Sequence, residues 1–172
     1  DDFMRASNIS SSLASLWLSK VDFELKEEII LPALLQEIGK FILSDLIVSE
    51  NKTELFKSKV ASGCSIEEVE RELFGFTTSE ITSKIFRYWK LSENLISMIE
   101  FVDNIEKASD EYKKKTQILD VIKTACQVSA PLSDSNVEKA IEKANKYGLD
   151  TKILKKAIEI LQDRLLDEKQ LL

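Results

Sequence analysis

The chain has 172 residues, 44% hydrophobic and 31% charged, enough apolar chain to bury a core and too apolar for intrinsic disorder. Its 30 acidic and 24 basic residues leave a net charge of −6, which excludes nonspecific attraction to nucleic acid as an expected activity. No run of about 18 apolar residues is available to cross a bilayer, so neither nucleic acid nor membrane is an expected partner.

Four glycines and two prolines punctuate the sequence, and apolar residues recur at spacings of three and four almost throughout. This pattern predicts an all-α fold, a single compact helical domain over residues 1–172 with roughly nine helices. The opening Asp1-Asp2-Phe3-Met4-Arg5 is neither a basic leader nor an initiator methionine, and reads as the start of a fragment. Ile9, Leu13, Leu16 and Trp17 stripe a first helix. Leu25, Ile29, Leu34, Leu35 and Ile38 stripe a second, with Pro32 expected to bend it. Phe41, Ile42, Leu46 and Ile47 follow Gly39 as a short apolar helix.

Ser65 and Glu68 form a capping box for a helix that should stop near Gly75. Thr77-Thr78-Ser79-Glu80 opens the next, with Ile81, Ile85, Tyr88 and Trp89, and Ser92 caps one that buries Leu95, Ile96, Ile99 and Val102. The charged run from Glu106 to Lys115 reads as a solvated face. A long helix is expected around Tyr112 to Val128, ended by Pro131. Ser135 and Glu138 suggest another capping box, Gly148 a stop, and Asp150 the cap of a last helix bearing Ile153, Leu154, Ile158, Leu161 and Leu165.

Chemistry is scarce. The chain contains no histidine, so it lacks the most versatile side-chain ligand for a catalytic transition metal and the usual proton shuttle near neutral pH. Cys64 and Cys126 lie far apart, in no metal-ligand spacing, and suit ordinary thiols in a reducing, cytoplasmic setting. There is no glycine-rich phosphate loop and no nucleophile with an imidazole to activate it. Lys40 is more readily a helix-end charge than a catalytic base. Trp17, Trp89, Phe74, Phe76 and Phe101 are expected in the core rather than around a ligand cleft.

Three stretches in order carry a resemblance: Leu31-Pro32-Ala33-Leu34-Leu35-Gln36-Glu37-Ile38-Gly39-Lys40, then Glu68-Val69-Glu70-Arg71-Glu72-Leu73-Phe74-Gly75-Phe76, then Trp89-Lys90-Leu91-Ser92-Glu93. Together they resemble the HDOD domain, the HD-related output domain of bacterial signalling proteins in the HD phosphohydrolase-like superfamily. The resemblance implies the HD-domain, PDEase-like helical fold, and a further helical portion preceding this region. It also implies where a metal site would have been. Members that keep it have His-Asp where this chain has Gln36-Glu37, Asp-His at Thr77-Thr78, His-His at Val102-Asp103, and a His-Ser pair aligned with Ala6-Ser7.

Those departures make Ala6, Gln36, Glu37, Thr77, Thr78, Val102 and Asp103 positions of a vestigial site, with no metal, no cofactor and no catalytic residue expected. Glu37 and Asp103 alone would supply too few oxygens for Mg²⁺ or Ca²⁺. The expected function is a non-catalytic regulatory or protein-interaction module in bacterial signal transduction, with an unidentified protein partner. The alternatives are a metal-dependent phosphohydrolase with a carboxylate-only site, in which Glu37 and Asp103 converge on one ion, and a nucleotide or small-ligand sensor using Gln36, Thr77 and Thr78. Leu165, Leu166, Leu171 and Leu172 mark the last helix as a candidate apolar patch, or as a face packed onto the body.

Overall fold

A computed structural model of the chain describes residues 2–170. Ten α-helices run in chain order: α1 Asp2–Leu18, α2 Phe23–Leu35, α3 Lys40–Ser49, α4 Thr53–Ala61, α5 Ile66–Phe74, α6 Thr78–Tyr88, α7 Glu93–Ile99, α8 Asp110–Ala125, α9 Asp134–Lys146 and α10 Thr151–Gln170. A 3₁₀ turn, Ile105–Lys107, precedes α8, and no strand occurs among the described residues, so the fold is all-α. The helices divide into two compact units, one of residues 1–35 and 110–172, the other of residues 36–109.

In the first unit α1 packs on α2, α8 and α10, and α8 also packs on α2 and α9. Of the predicted stripes Leu13, Trp17, Ile29 and Leu154 are fully buried, and Leu18, Ile118, Leu119 and Ile122 join them in the core. Trp17 also donates its indole N–H to the Asp150 carbonyl at 3.2 Å, tying α1 to the start of α10. A polar knot joins α8 to α9. Lys143 donates to Asp120 Oδ1 at 2.9 Å and to Thr124 Oγ1 at 3.0 Å, and the Tyr147 hydroxyl donates to Asp120 Oδ2 at 2.6 Å. Ala140 and Ala144, both fully buried, let the two helices approach beside it.

Local signals hold at most helix ends. Ser65 and Glu68 form the reciprocal capping box, Gly75 ends α5 at φ 80°, Ser92 caps α7, and Asp150 accepts the Ile153 N–H at 2.7 Å. Several boundaries differ. Helix α2 stops at Leu35, so Ile38 lies in the turn before α3, and α8 stops at Ala125 rather than Val128. After it the chain turns through Leu132, at φ 57°, whose N–H returns to the Ala125 carbonyl. Helix α9 therefore starts at Asp134, and its cap, two residues before the expected Ser135, is Ser133, which accepts the Asn136 N–H at 3.3 Å. Helix α4 was not signalled, because it buries no residue and has no side-chain cap.

Trp17 is in the core as expected, but Trp89 is 55% exposed and Phe74, Phe76 and Phe101 are half-buried. On α10, Leu165 is half-buried and Leu166 exposed, while Leu171 and Leu172 lie outside the described residues.

Because Asp120 is buried and satisfies two donors, Asp120→Ala should destabilise the first unit by about 2–3 kcal/mol, and Tyr147→Phe by about 1 kcal/mol. A shift in the urea midpoint at unchanged slope checks both, and equal small losses would deny Asp120 its place as the hub.

Candidate functional site

The second unit is organised around the start of α6. Helix α5 is strongly amphipathic in sequence, with Val69 and Glu70 on its buried side, and Gly75 at φ 80° turns the chain back so that Thr77 lies in extended conformation before α6. A helix start leaves N–H groups without partners inside the helix. Here carboxylates take them in succession. Glu80 accepts the Thr77 N–H at 3.2 Å, Glu70 Oε2 the Thr78 N–H at 2.7 Å, and Asp103 Oδ2 the Ser79 N–H at 3.2 Å. Each negative group also lies at the positive end of the helix dipole, which favours it further.

Glu70 is the deepest of these acids, 2% exposed, and its second oxygen accepts the Thr78 hydroxyl at 2.7 Å. Its charge is met by Lys40, whose ammonium lies 3.6 Å from Glu70 Oε1 and 3.2 Å from Glu37 Oε2. Lys40 reaches them because the turn from Gln36 to Gly39 presses against α6. The Gly39 N–H donates to Thr82 Oγ1 at 2.9 Å, and that hydroxyl lies 3.0 Å from the Gln36 carbonyl and 2.9 Å from the Thr78 carbonyl. A Cβ on Gly39 would stand 2.5 Å from the Thr78 carbonyl oxygen, so only glycine permits this approach.

Of the positions singled out in the sequence, Thr77 is the N-cap of α6 and Thr78 its first residue, and Asp103 and Glu37 reach the same assembly through Ser79 and Lys40. Gln36 is buried in the turn, where its backbone carbonyl meets Thr82. Val102 is a buried apolar residue, 1% exposed, and Ala6 is buried in α1 of the first unit. Sequence reasoning did not single out Glu70 or Ser79, and read Lys40 as a helix-end charge or surface residue rather than a base. The available signal was an acid beside Val69 on the face of α5 that should be apolar, with a lysine following the Gln36-Glu37 pair.

A crevice of about 330 Å³ opens beside this assembly, with Thr77, Asp103, Arg71, Glu67, Glu68 and Glu72 around it. Its charges are largely committed. Arg71 donates to Glu80 at 2.7 Å, Glu68 closes the capping box with Ser65, and Lys59 donates to Glu72 at 2.8 Å, a hydrogen bond that raises the lysine pKa.

The donors present do not fit an HD-type metal centre. The chain has no imidazole, the carboxylates of Glu70 and Asp103 hold backbone N–H groups, Glu37 faces an ammonium, and among the described residues no group of three or more His, Cys, Asp or Glu side chains is placed to share an ion.

Gly39→Ala should destabilise the second unit by about 2–3 kcal/mol through the clash with Thr78 and Thr82. Glu70→Ala should cost about 3 kcal/mol by leaving the Thr78 N–H and hydroxyl buried without an acceptor, and Glu70→Gln distinctly less. Denaturant titrations followed by helical circular dichroism measure both, and an Ala variant no weaker than the Gln variant would remove Glu70 from the cap.

A family model for the HDOD domain matches residues 1–105. No curated protein matches the chain. Among solved structures, a virulence factor from Campylobacter jejuni subsp. jejuni aligns with a TM-score of 0.68 at 20% identity over 91% of this chain and 60% of its own. A protein named "Putative phosphohydrolase" from Shewanella amazonensis SB2B aligns at 0.59 and 22% identity, over 94% of this chain and 57% of its own. At these identities the likeness is one of fold, and the chain spans less than two thirds of either structure. With the family model covering more than half of its length, and the helices placing the motif residues around the start of α6, this chain belongs to the HDOD domain family.

Proposed function

We propose that this HDOD chain is a non-catalytic regulatory or protein-interaction module of bacterial signal transduction, acting in the cytoplasm, in which internal contacts have taken over the place of an HD-type metal. The observation that carries this reading is the Lys40 ammonium between Glu37 and Glu70. A metal site needs anionic ligands whose charge the ion balances. Here the balancing cation is a side chain of the same motif, and the remaining acid, Asp103, serves as a helix cap. Hydrolysis would further require an ion to generate hydroxide near neutral pH, and the donor set offers no imidazole to hold it.

The name of the Shewanella protein favours the phosphohydrolase alternative, but that likeness extends to the fold. A nucleotide sensor fits less well. Glu67, Glu68, Glu72 and Asp103 outnumber Arg71 around the crevice beside Thr77, an arrangement that repels phosphate.

Plasma mass spectrometry on protein purified without chelator, then dialysed against Mn²⁺, Fe²⁺ and Mg²⁺, should find no stoichiometric metal, and a screen with cyclic dinucleotides and aryl phosphodiesters should find no turnover. Lys40→Met should lose about 1–2 kcal/mol of stability by leaving Glu37 and Glu70 facing each other without a cation. Metal bound at one ion per chain with turnover that needs it would replace this reading by the enzymatic one.

A further inference from the structure

At the other end of α6 the second unit leaves an apolar groove open to solvent. Phe41 and Ile42 of α3 form one wall, and Ile85, Tyr88 and Trp89 at the end of α6 form the other, around a volume of about 560 Å³. Phe41 is 56% exposed, Tyr88 85% and Trp89 55%, whereas the next aromatic residue on α6, Phe86, is fully buried. Phe86 stacks on Trp89 with ring centroids 6.2 Å apart, so the indole is held on one side and bare on the other. Aromatic residues fixed in this way and presented together are the kind that anchor protein contacts.

Shape and charge restrict the occupant. Two helices make the groove and no strand edge exists among the described residues, so strand addition is unavailable and a third helix laid between two is the fitting geometry. Lys84 is the charged residue lining the groove, exposed and without an ion pair among the described residues, in a chain whose net charge is −6. A twofold contact centred on Lys84 would set it against its own counterpart inside an apolar surface. A carboxylate beside an apolar stripe would meet it instead.

We propose that α3 and α6 form a docking groove for an amphipathic helix of a partner protein, one with an apolar stripe and flanking Asp or Glu. This rests on the interaction-module reading and names its surface. Neither Glu70 nor Asp103, nor Lys40 between the acids, lines the groove.

Tryptophan fluorescence provides the test, since Trp17 is buried and Trp89 is the tryptophan that a ligand in the groove would cover. The probes are two synthetic amphipathic helices with identical leucine stripes, one flanked by Glu and the other by Lys. The Glu-flanked peptide should give a saturable blue shift, weakened about tenfold by Lys84→Glu and at least as much by Tyr88→Ala. The Lys-flanked peptide should bind poorly and improve on Lys84→Glu. Circular dichroism melts confirm that these exposed-site variants remain folded.

Equal binding of the two peptides, or no saturable shift with either, would overturn the proposal. So would a shift that develops with protein concentration alone and tracks dimer formation, because the occupant would then be a second copy. Failure of the groove leaves the metal and hydrolysis results untouched, and metal-dependent turnover would refute the module reading without altering peptide binding, so the two failures are distinguishable.

Discussion

The second unit depends on satisfying the buried start of α6. Thr77, Thr78 and Ser79 are each at most 1% exposed, so their N–H groups have no water to turn to. Each is bonded to a carboxylate, from Glu80, Glu70 and Asp103. The acids come from α5, from α6 itself and from the chain after α7, so one helix end sets the position of three segments. Burying so much negative charge demands a compensating cation, which Lys40 supplies from the turn before α3.

That arrangement shows what ties these segments of an HDOD chain together where no histidine is present. A metal centre does two jobs in such a fold, chemistry and cross-linking, and the second can be handed to hydrogen bonds and an ion pair. Glu70 and Lys40 connect α5, α6 and the start of α3 as a shared ion would, while Gly39 lets the connecting turn lie against Thr78 and Thr82. The same contacts occupy the lone pairs that a metal would need.

The two ends of α6 differ in kind. Its start is polar and buried, with its backbone N–H groups bonded to carboxylates, whereas its end exposes Tyr88 and Trp89 beside Ile85 and Lys84, which has no ion pair among the described residues. Chemistry needs convergent groups held away from water, and recognition needs anchors that water presently covers.

The sequence by itself determined most of the helices and their ends, the family resemblance and the absence of imidazole, because periodicity, caps, glycine stops and composition are local properties. It marked Thr77, Thr78, Asp103 and Glu37 by their place in motifs, without showing what they bond. Tertiary structure alone decided that Glu70 belongs with them, since an acid eight residues before Thr78 becomes its acceptor only after Gly75 reverses the chain. It also decided that Lys40 is an internal counter-charge and that Trp89, read from its helical spacing as core, is half in solvent. Whether a lysine finds carboxylates, or an aromatic face finds cover, depends on residues distant in sequence, and only packing brings those to the same place.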